Sequence, residues 1–481
     1  MSMKKTITLA KGDGIGPEIA NSVLEILKKA GADLDFEEIE IGEKAYIAGA
    51  PSGIPDSAWD VIHKNKILLK APLTTPQGTG YKSVNVTLRK SLGLFANIRP
   101  VRSFPGYVPN SDKKMDMVII RENEEDLYAG VEYRSSLNTR IAVKIITHKG
   151  CERIIRYAFE YARLHNRKRV SCIIKDNIMK ITDGLFHKIF KEIALEYPDI
   201  NTDSIIVDIG SAKIATKPWL FDVIVTLNLY GDIISDIAAE VSGSVGLAGS
   251  SNIGAGYAIF EAVHGSAPDI AGKNIANPSG LLNAAILMLN HIGQGDIATK
   301  IENALLKTIE DGVHTADIYN ESISTKKANT KEFTDAVVSN LGKLPYKIQV
   351  VENNAKVMKS FDYKAAEENS IVECIGVDIF TEDLAEPVYN IVEKIRKGQK
   401  NLEIKHVSAR GMMVWSEATD RCSTNVDGLV RFRFFAKNKT ASNLDVIEVQ
   451  KLLNEIGMNF HILHKLYLYD GQEGFTNMQG Q

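Results

Sequence analysis

One strand-to-helix transition near the middle of the chain limits what this sequence can fold into. Residues 223–227 (VIVTL) are apolar and rich in β-branched side chains, which predicts a buried strand, and Gly231 marks a turn out of it. If a helix begins at Asp232, then Asp236 lies one turn further along the same face, near the positive end of the helix dipole. The segment therefore predicts two carboxylates that point the same way from the end of a strand.

These two carboxylates have two possible roles. Paired hard oxygen ligands, with room left for water and an oxygen-rich substrate, suit Mg²⁺ or Mn²⁺ better than Zn²⁺. Acidic residues are also common in the first turn of helices, where they cap the backbone or face solvent. The spacing of Asp232 and Asp236 alone leaves both interpretations open.

Composition narrows the class of protein. A length of 481 residues predicts about three domains at roughly 150 residues each. A net charge of −3 with 24% charged residues gives no basic field for nucleic acid. The N-terminus has no signal-peptide core and no window approaches a membrane span, so we expect a cytoplasmic protein without a membrane partner. Four scattered cysteines without a CxxC pair predict reduced thiols: Cys151, Cys172, Cys374 and Cys422.

A glycine-rich loop, residues 11–16, joins a predicted strand at 6–10 to a predicted helix at 17–30. Its glycines suggest nucleotide binding, but their spacing is GxGxG rather than GxGxxG. No acidic residue closes a second strand at the distance that a dinucleotide site requires. A tight strand-to-helix turn is the favoured interpretation.

Further along, polar groups gather at the ends of predicted elements. Residues 71–80 contain two prolines and two glycines, which predicts a shaped loop whose hydroxyls could line a site. Arg89, Arg99 and Arg121 follow, each near the end of an element. Together they could clamp a polycarboxylate bidentately, although each one alone is an ordinary surface charge.

Six ordered motifs between residues 6 and 345 resemble the β-decarboxylating dehydrogenases, the family that includes isocitrate and 3-isopropylmalate dehydrogenase. The motifs are residues 12–18, 88–89 with 97–100, 121–123 through 126–130, 175–177, 228–236 continuing to 254, and 264–268. A chance match to all six in this order is not credible. The resemblance therefore favours the metal-binding interpretation of Asp232 and Asp236.

The resemblance implies an isopropylmalate-dehydrogenase-like two-domain α/β fold, not a Rossmann fold. Residues 1–94 and 243–345 would form a large domain and residues 95–242 a small domain, with the active site in the cleft between them. Family members pair through their small domains, and each subunit lends residues to its neighbour's site. A homodimer is therefore expected to be necessary for chemistry as well as for stability.

The implied reaction is oxidation of a 2-hydroxy acid by hydride transfer, followed by loss of a β-carboxylate and protonation of the resulting enolate. Asp232 and Asp236, with Asp208 of the partner subunit, are the implied ligands of Mg²⁺ or Mn²⁺, which acts as a Lewis acid. Tyr128 corresponds to the residue that protonates the enolate. Lys175 of the partner subunit corresponds to the residue that assists proton removal.

The resemblance also assigns binding residues for both small molecules. The implied substrate-binding residues are Thr75, Ser83, Asn85, Arg89, Arg99, Arg121 and Asn177. The implied cofactor-binding residues are Thr74, His264, Gly265, Ser266, Ala267, Pro268, Asp269, Ile270 and Asn277.

Two local features predict the substrate and the cofactor. Ser83 and Asn85 are polar where relatives that use isopropylmalate form an apolar pocket, so isocitrate is expected, with homoisocitrate a closer rival than 3-isopropylmalate. Asp269 and Ile270 stand where NADP-using relatives carry a lysine and a tyrosine, and residues 315–320 lack a second tyrosine and an arginine. A carboxylate repels the 2′-phosphate, so these residues predict NAD.

The last part of the chain, residues 346–481, extends beyond the region of resemblance to the shared core. Strands at 371–380, 402–415, 429–436 and 460–469 with helices at 383–397 and 442–457 predict a ferredoxin-like α+β domain. Some bacterial isocitrate dehydrogenases have a similar extension, which we interpret as an assembly or effector-binding module. The tail, residues 470–481, is expected to be loose.

A catalytically silent regulatory subunit is the alternative from another functional class. Such a subunit would have lost some of the working residues. All five positions hold the required residue types, which favours an enzyme: Tyr128, Lys175, Asp208, Asp232 and Asp236.

Overall fold

The computed structural model describes residues 4–75, 82–109, 111–353, 358, 370–382, 384–418, 426 and 428–477. Two compact units result, one formed by residues 1–129 and 145–363 and the other by residues 130–144 and 364–481. Several predictions lie outside the described residues: the second half of the loop at 71–80, Cys422, most of the connection leading to residue 370, and the end of the tail.

The described strands and helices follow in chain order. The strands are β1 (Lys5–Ala10), β2 (Leu34–Ile39), β3 (Ile67–Lys70), β4 (Ala96–Arg102), β5 (Asp116–Glu122), β6 (Glu132–Arg134), β7 (Arg140–Ala142), β8 (Arg169–Ile174), β9 (Asn201–Ile206), β10 (Val223–Thr226), β11 (Gly249–Ile253), β12 (Ala258–Ala262), β13 (Val313–His314), β14 (Lys326–Lys327), β15 (Val372–Thr381), β16 (Leu402–Ala409), β17 (Met412–Ser416), β18 (Val430–Ala436), β19 (Ile462–Tyr469) and β20 (Gln472–Glu473). The helices are α1 (Gly16–Ala30), α2 (Glu43–Ile47), α3 (Asp56–Asn65), α4 (Val84–Ser91), α5 (His148–Leu164), α6 (Thr182–Ala194), α7 (Val207–Thr216), α8 (Asn228–Val241), α9 (Ser279–His291), α10 (Gly295–Glu310), α11 (Thr330–Ser339), α12 (Val388–Gly398) and α13 (Asn443–Glu455).

A mixed sheet of ten strands runs through the described part of the first unit, in the order β2-β1-β3-β12-β11-β4-β5-β10-β8-β9. Strand β4 is antiparallel to both of its neighbours, β11 and β5, whereas β10 is parallel to β5 and β8. Every residue of β10 is buried, as the apolar run predicted. A strand inside a sheet that is covered on both faces has no solvent-facing side, which explains its continuous hydrophobicity.

The helix that follows β10 starts earlier than the sequence suggested. It begins at Asn228, not at Asp232, so Gly231 lies inside α8 and is not a turn. A Cβ atom at Gly231 would lie 2.5 Å from Cγ of Arg121. The glycine therefore makes room for an arginine of the neighbouring strand β5, a reason that the local sequence could not reveal.

The apolar side chains of the first unit form separate clusters. One cluster packs around α1, α9 and α10, and another packs around α5 and α6. The first is built mainly from the segments assigned to the large domain, and the second from the segment assigned to the small domain. This segregation supports the two-domain division, which remains a prediction. No helix in the described part of the chain is long and apolar enough to cross a membrane.

The glycine-rich loop between β1 and α1 packs on the backbone of the protein itself. Gly14 has a φ of +57°, and a Cβ atom there would lie 2.0 Å from the carbonyl oxygen of Ser266. The N–H of Ile15 donates to the same carbonyl over 2.9 Å. The loop is thus a tight turn that supports the segment around Ser266.

The second unit contains an antiparallel sheet in the order β17-β16-β18-β15-β19-β20. Apolar residues of α12 and α13 pack on one face of this sheet. The predicted ferredoxin-like arrangement is confirmed, with one local difference. The strand expected at 402–415 is a hairpin of β16 and β17, because Arg410 and Gly411 adopt positive φ values of 50° and 81° and turn the chain.

Candidate active site

Helix α8 presents the two predicted carboxylates, on its second and third turns, to a group of basic residues. Arg121 and Arg99 both donate to Oδ1 of Asp232, the latter over 3.3 Å, and Arg99 also lies 3.5 Å from Oδ1 of Asp236. The hydroxyl of Tyr128 donates to Oδ2 of Asp232, and the Arg121 guanidinium stacks 4.8 Å from the Tyr128 ring. The structure thus brings five of the predicted site residues together.

Burial and neighbouring charges shift the pKa values of these side chains in different directions. Burial alone would raise the pKa of Asp232, but Arg121 and Arg99 outweigh it and lower that pKa. For Asp236 burial prevails over Arg99, so the pKa is raised. Burial also raises the pKa of Tyr128, with a further contribution from Asp232 and opposition from Arg121. The tyrosine therefore keeps its proton near neutral pH and can donate it.

The charged side chains around Asp232 and Glu261 include more cations than carboxylates. Burial lowers the pKa of Arg121 to about 10, and repulsion from the other two clamp arginines adds to this effect. The described members are the cations Lys70, Arg89, Arg99 and Arg121 and the carboxylates Asp232, Asp236 and Glu261. A bound polycarboxylate would relieve the repulsion among the guanidinium groups.

Asp232 and Asp236 on α8 supply part of the ligand set that a divalent cation needs. Among the described residues, no three His, Cys, Asp or Glu side chains of this chain converge as a complete metal site. Two carboxylates on one helix face, a third from a second chain, and substrate oxygens would together make the oxygen donor set that Mg²⁺ prefers. The residue types on α8 therefore suit Mg²⁺ or Mn²⁺.

Lys175 and Asp208 form a separate pair. Lys175 follows β8, Asp208 lies in the first turn of α7, and their side chains make an ion pair. The hydrogen bond from Lys175 lowers the pKa of Asp208. Asn177, two residues after Lys175, is exposed. These three residues lie at the surface of the chain, as donation to a neighbouring subunit would require.

The start of α4 supplies polar groups that have unused bonding capacity. Thr75 donates to the hydroxyl of Ser83 over 3.3 Å, and Ser83 directly precedes the helix. Among the described residues, the Oδ1 atom of Asn85 and the Nε atom of Arg89 are buried without a hydrogen-bond partner. Because buried polar atoms are normally paired, an acceptor and a donor left open on one helix suit a polar ligand.

The predicted cofactor segment is held by short polar contacts. The Thr74 and Ser266 hydroxyls lie 3.0 Å apart, and Asn277 donates to Asp317 over 3.0 Å. Burial lowers the pKa of His264, and its Nε2 atom is buried with no hydrogen-bond partner in the part of the chain that the structure describes. The remaining predicted residues are Gly265, Ala267 and the single 3₁₀ turn Pro268–Ile270, which contains Asp269 and Ile270.

Sequence reasoning missed Lys70 and Glu261. Glu261 is buried within the otherwise apolar strand β12 and accepts from Lys70 over 2.7 Å and from Arg89 over 2.9 Å. Although burial opposes ionisation, these cations hold the pKa of Glu261 far below its ordinary value. A single acid in an apolar strand was the available signal, because charged residues are rarely buried without a partner.

Comparisons with known proteins agree with this geometry. Residues 6–337 match the isocitrate/isopropylmalate dehydrogenase family, and residues 372–481 match the C-terminal domain of bacterial isocitrate dehydrogenase. The chain therefore belongs to the isocitrate/isopropylmalate dehydrogenase family, in its bacterial form with a C-terminal extension.

Three relatives match nearly the full length. A Rickettsia felis protein named isocitrate dehydrogenase (NADP) is 54% identical over 480 residues, covering 99% of both chains. A Thermus thermophilus protein of the same name is 40% identical over 489 residues, covering 99% of this chain and 96% of the other. The crystal structure of a Thermus thermophilus protein called TT0538 aligns with a TM-score of 0.92 at 39% identity, covering 99% and 96% of the two chains.

These matches confirm the family and fold that the motifs predicted, but the prediction of NAD is wrong. The relatives that match over the full length are named for NADP. In the structure Asp269 is exposed, so water and salt screen its charge. The sequence argument also omitted Lys326 and Lys327 of β14, which pairs with β13 just before residues 315–320.

Proposed function

We propose that this chain catalyses the metal-dependent oxidative decarboxylation of isocitrate to 2-oxoglutarate and CO₂, with reduction of NADP. The observation that carries the proposal is the convergence of the buried Arg99 and Arg121 with Asp232, Asp236 and Tyr128. The names of the full-length relatives support the choice of substrate and cofactor.

Each group in the cleft has a role that its surroundings support. Arg89, Arg99 and Arg121 bind the substrate carboxylates, since guanidinium groups pair with carboxylates bidentately. A divalent cation held by Asp232 and Asp236 would polarise the substrate hydroxyl and stabilise the negative charge that develops on oxygen.

Two proton carriers complete the reaction. Lys175 of the partner subunit assists removal of the hydroxyl proton during the oxidation, in which a bound NADP would accept the hydride. Tyr128 keeps its proton until decarboxylation and then gives it to the enolate carbon. Its raised pKa supports this role, because a general acid must still hold a proton at the pH of the reaction.

The cofactor end contains cations that support binding of a phosphate. Lys326 and Lys327 form β14, and the Lys327 ammonium lies 5.3 Å from the ring of Tyr319. The N–H of Ala328 donates to the carbonyl of His314, which holds this lysine pair beside residues 313–319. A flexible lysine on a solvent-exposed strand provides a point charge for the 2′-phosphate of NADP.

Two identical chains are proposed to share their sites across the small domains. Exposed apolar side chains lie close in sequence to Lys175, Asp208 and Asp232, as an interface requires: Ile178, Ile209 and Ile233, with exposed fractions of 66%, 52% and 50%. Large apolar side chains exposed together mark association surfaces. Mixing inactive Lys175→Ala and Tyr128→Phe proteins should restore activity in heterodimers. No recovery despite proven subunit exchange would place both residues in one chain.

Steady-state assays test the function as a whole. Isocitrate, homoisocitrate and 3-isopropylmalate should each be offered with NADP and with NAD, with Mg²⁺ or Mn²⁺ and after chelation. We expect turnover of isocitrate with NADP, its loss on chelation and its return with either metal. Comparable turnover of 3-isopropylmalate would contradict the proposed substrate, a preference for NAD would contradict the proposed cofactor, and no turnover at all would favour a silent subunit.

A further inference from the structure

A fully buried asparagine lies behind the arginine clamp. Asn252 is on β11, between β4 and β12, and its side chain is completely excluded from solvent. Its Oδ1 atom accepts from Nδ2 of Asn97 over 2.9 Å and from Nδ2 of Asn123 over 3.1 Å. Its own Nδ2 donates to Oε1 of Glu261 over 2.7 Å. Three segments of the first unit therefore meet at this one amide.

The chemistry of the partners fixes the orientation of Asn252. An ionised carboxylate only accepts hydrogen bonds, so the NH₂ group of Asn252 must face Glu261 and its oxygen must face the two other amides. The NH₂ group of Asn97 is then directed to Asn252, which leaves Oδ1 of Asn97 to accept from Nε of Arg99 over 2.7 Å. Flipping either amide would bring two donors or two acceptors into contact.

The result is a directional relay that connects two clamp arginines. Donor-to-acceptor bonds run from Arg99 to Asn97, then to Asn252 and finally to Glu261, which also accepts from Arg89 over 2.9 Å. Aligned hydrogen bonds in a low-dielectric interior polarise and strengthen one another. Arg99 on β4 and Arg89 on α4 are thereby held relative to each other through buried groups.

We propose that Asn252 is a positioning residue that sets the separation and orientation of Arg89 and Arg99 for the substrate carboxylates. The inference rests on the proposed function and adds a residue to it. Because Asn252 is fully buried, it acts through the arginines and not through contact with the substrate. Glu261 is the common anchor, and Lys70 holds its second oxygen over 2.7 Å.

The test compares three variants with a matched control. Asn252→Ala, Asn97→Ala and the double variant each interrupt the relay, and we expect the KM for isocitrate to rise about tenfold or more with a smaller change in kcat. The KM for NADP should stay the same, because the relay ends at the substrate arginines. The double variant should be no worse than the poorer single variant, since both break one chain of bonds.

Asn303→Ala is the control. Asn303 is also a buried asparagine, but its side chain bonds to the backbone of Thr299 and Val351 and not to any residue of the relay. It should lower thermal stability without changing the KM for isocitrate. If Asn252→Ala does not fold, Asn252→Asp keeps the shape and both accepted bonds but places a second carboxylate against Glu261, and it should also raise the KM.

The outcomes separate this inference from the proposed function. If the unaltered protein fails to oxidise isocitrate, the proposed function is wrong. If the unaltered protein is active but Asn252 variants keep the original KM, or if the double variant multiplies the two single effects, the positioning role is wrong.

Discussion

Buried carboxylates in the two units are held in different ways. In the first unit Glu261 on β12 has partners on three other elements, with Lys70 from β3, Arg89 from α4 and Asn252 from β11. In the second unit Asp378 on β15 is held bidentately by Arg433 at 2.7 Å for both bonds, with Arg431 at 3.4 Å. Both of these arginines lie on the neighbouring strand β18.

The difference separates a binding cluster from a structural pair. Asp378 is opposite Arg433 in the strand register, so sheet formation alone brings the pair together. The Glu261 group forms only when elements from distant parts of the chain are in place, and it holds two cations, Lys70 and Arg89, against one carboxylate. A cross-strand ion pair stabilises one sheet, whereas a convergent group with excess positive charge is suited to an anionic substrate.

The largest difference between the two clusters is expected in activity, and the variant Asp232→Asn in the first unit should show it. The substitution removes the charge of a proposed metal ligand but keeps an amide oxygen that can accept from Tyr128 and the arginines, so kcat should fall about a thousandfold while the thermal midpoint changes little. Rates at saturating isocitrate and increasing Mn²⁺ measure the effect. Full activity at high Mn²⁺ would show that Asp232 only tunes metal affinity.

Asp378→Leu should do the opposite and lower stability without lowering activity. It leaves Arg433 buried and unpaired, which costs about 3 to 5 kcal/mol of unfolding free energy, and it should leave kcat unchanged. Denaturant unfolding and the standard assay measure the two quantities. Adding Arg433→Met should recover much of the loss, because a buried ion pair replaced by apolar groups is often neutral. If the folded Asp378→Leu variant had a lower kcat, the Asp378 pair would not be purely structural, and the proposed distinction between the two clusters would be wrong.

Tyr128→Phe sharpens the assignment of roles inside the cleft. It removes one hydroxyl without changing the arginines, so kcat should fall roughly a hundredfold and the KM for isocitrate should change little. A matched Tyr230→Phe variant removes a buried hydroxyl that donates to Asp183 on α6 and should mainly affect stability. An increase in KM alone for Tyr128→Phe would make this residue a binding group.

The last contrast is an effect of pH on stability and concerns Glu122, which accepts from the backbone N–H groups of Glu124 and Glu125. Burial raises its pKa to about 8, with repulsion from the same two acids. The folded state then keeps a proton that the unfolded state has lost, so stability should fall with rising pH between about 4.5 and 8, by about 1.4 kcal/mol per pH unit.

Glu122→Gln keeps an acceptor for the two N–H groups and removes the titration. Unfolding free energies of the two proteins measured across this pH range should diverge as the pH rises, with the variant more stable at the alkaline end. Parallel curves would show that Glu122 ionises normally.

The sequence allowed prediction of much of the site, because its key groups sit at ends of recognisable elements. Tyr128, Asp232, Asp236 and the arginines were all found from short motifs, and the structure brings most of them into contact. The relay was not found, because its contacts join residues far apart in the chain. Asn97 and Asn252 are 155 positions apart, and Arg89 and Glu261 are 172 apart.

Local interpretation also failed where tertiary packing decided the outcome. Gly231 was predicted to form a turn, but it lies inside α8, where the absence of a side chain leaves space for Arg121. Asp269 looked like a repulsive group at the cofactor, yet it is exposed, and the sequence did not reveal that β14, with Lys326 and Lys327, pairs with β13. For Gly231 the deciding neighbour, Arg121, comes from a strand far along the chain.

The antiparallel strand β4 has a mechanical consequence for the first unit. It is hydrogen-bonded to β11 on one edge and to β5 on the other, so the backbone sheet passes without interruption between the two apolar clusters. Any relative rotation of the two halves must then be taken up as elastic torsion of these central strands, since a free hinge would break their ladders. The amides of β4 should therefore stay protected from hydrogen exchange during any such rotation.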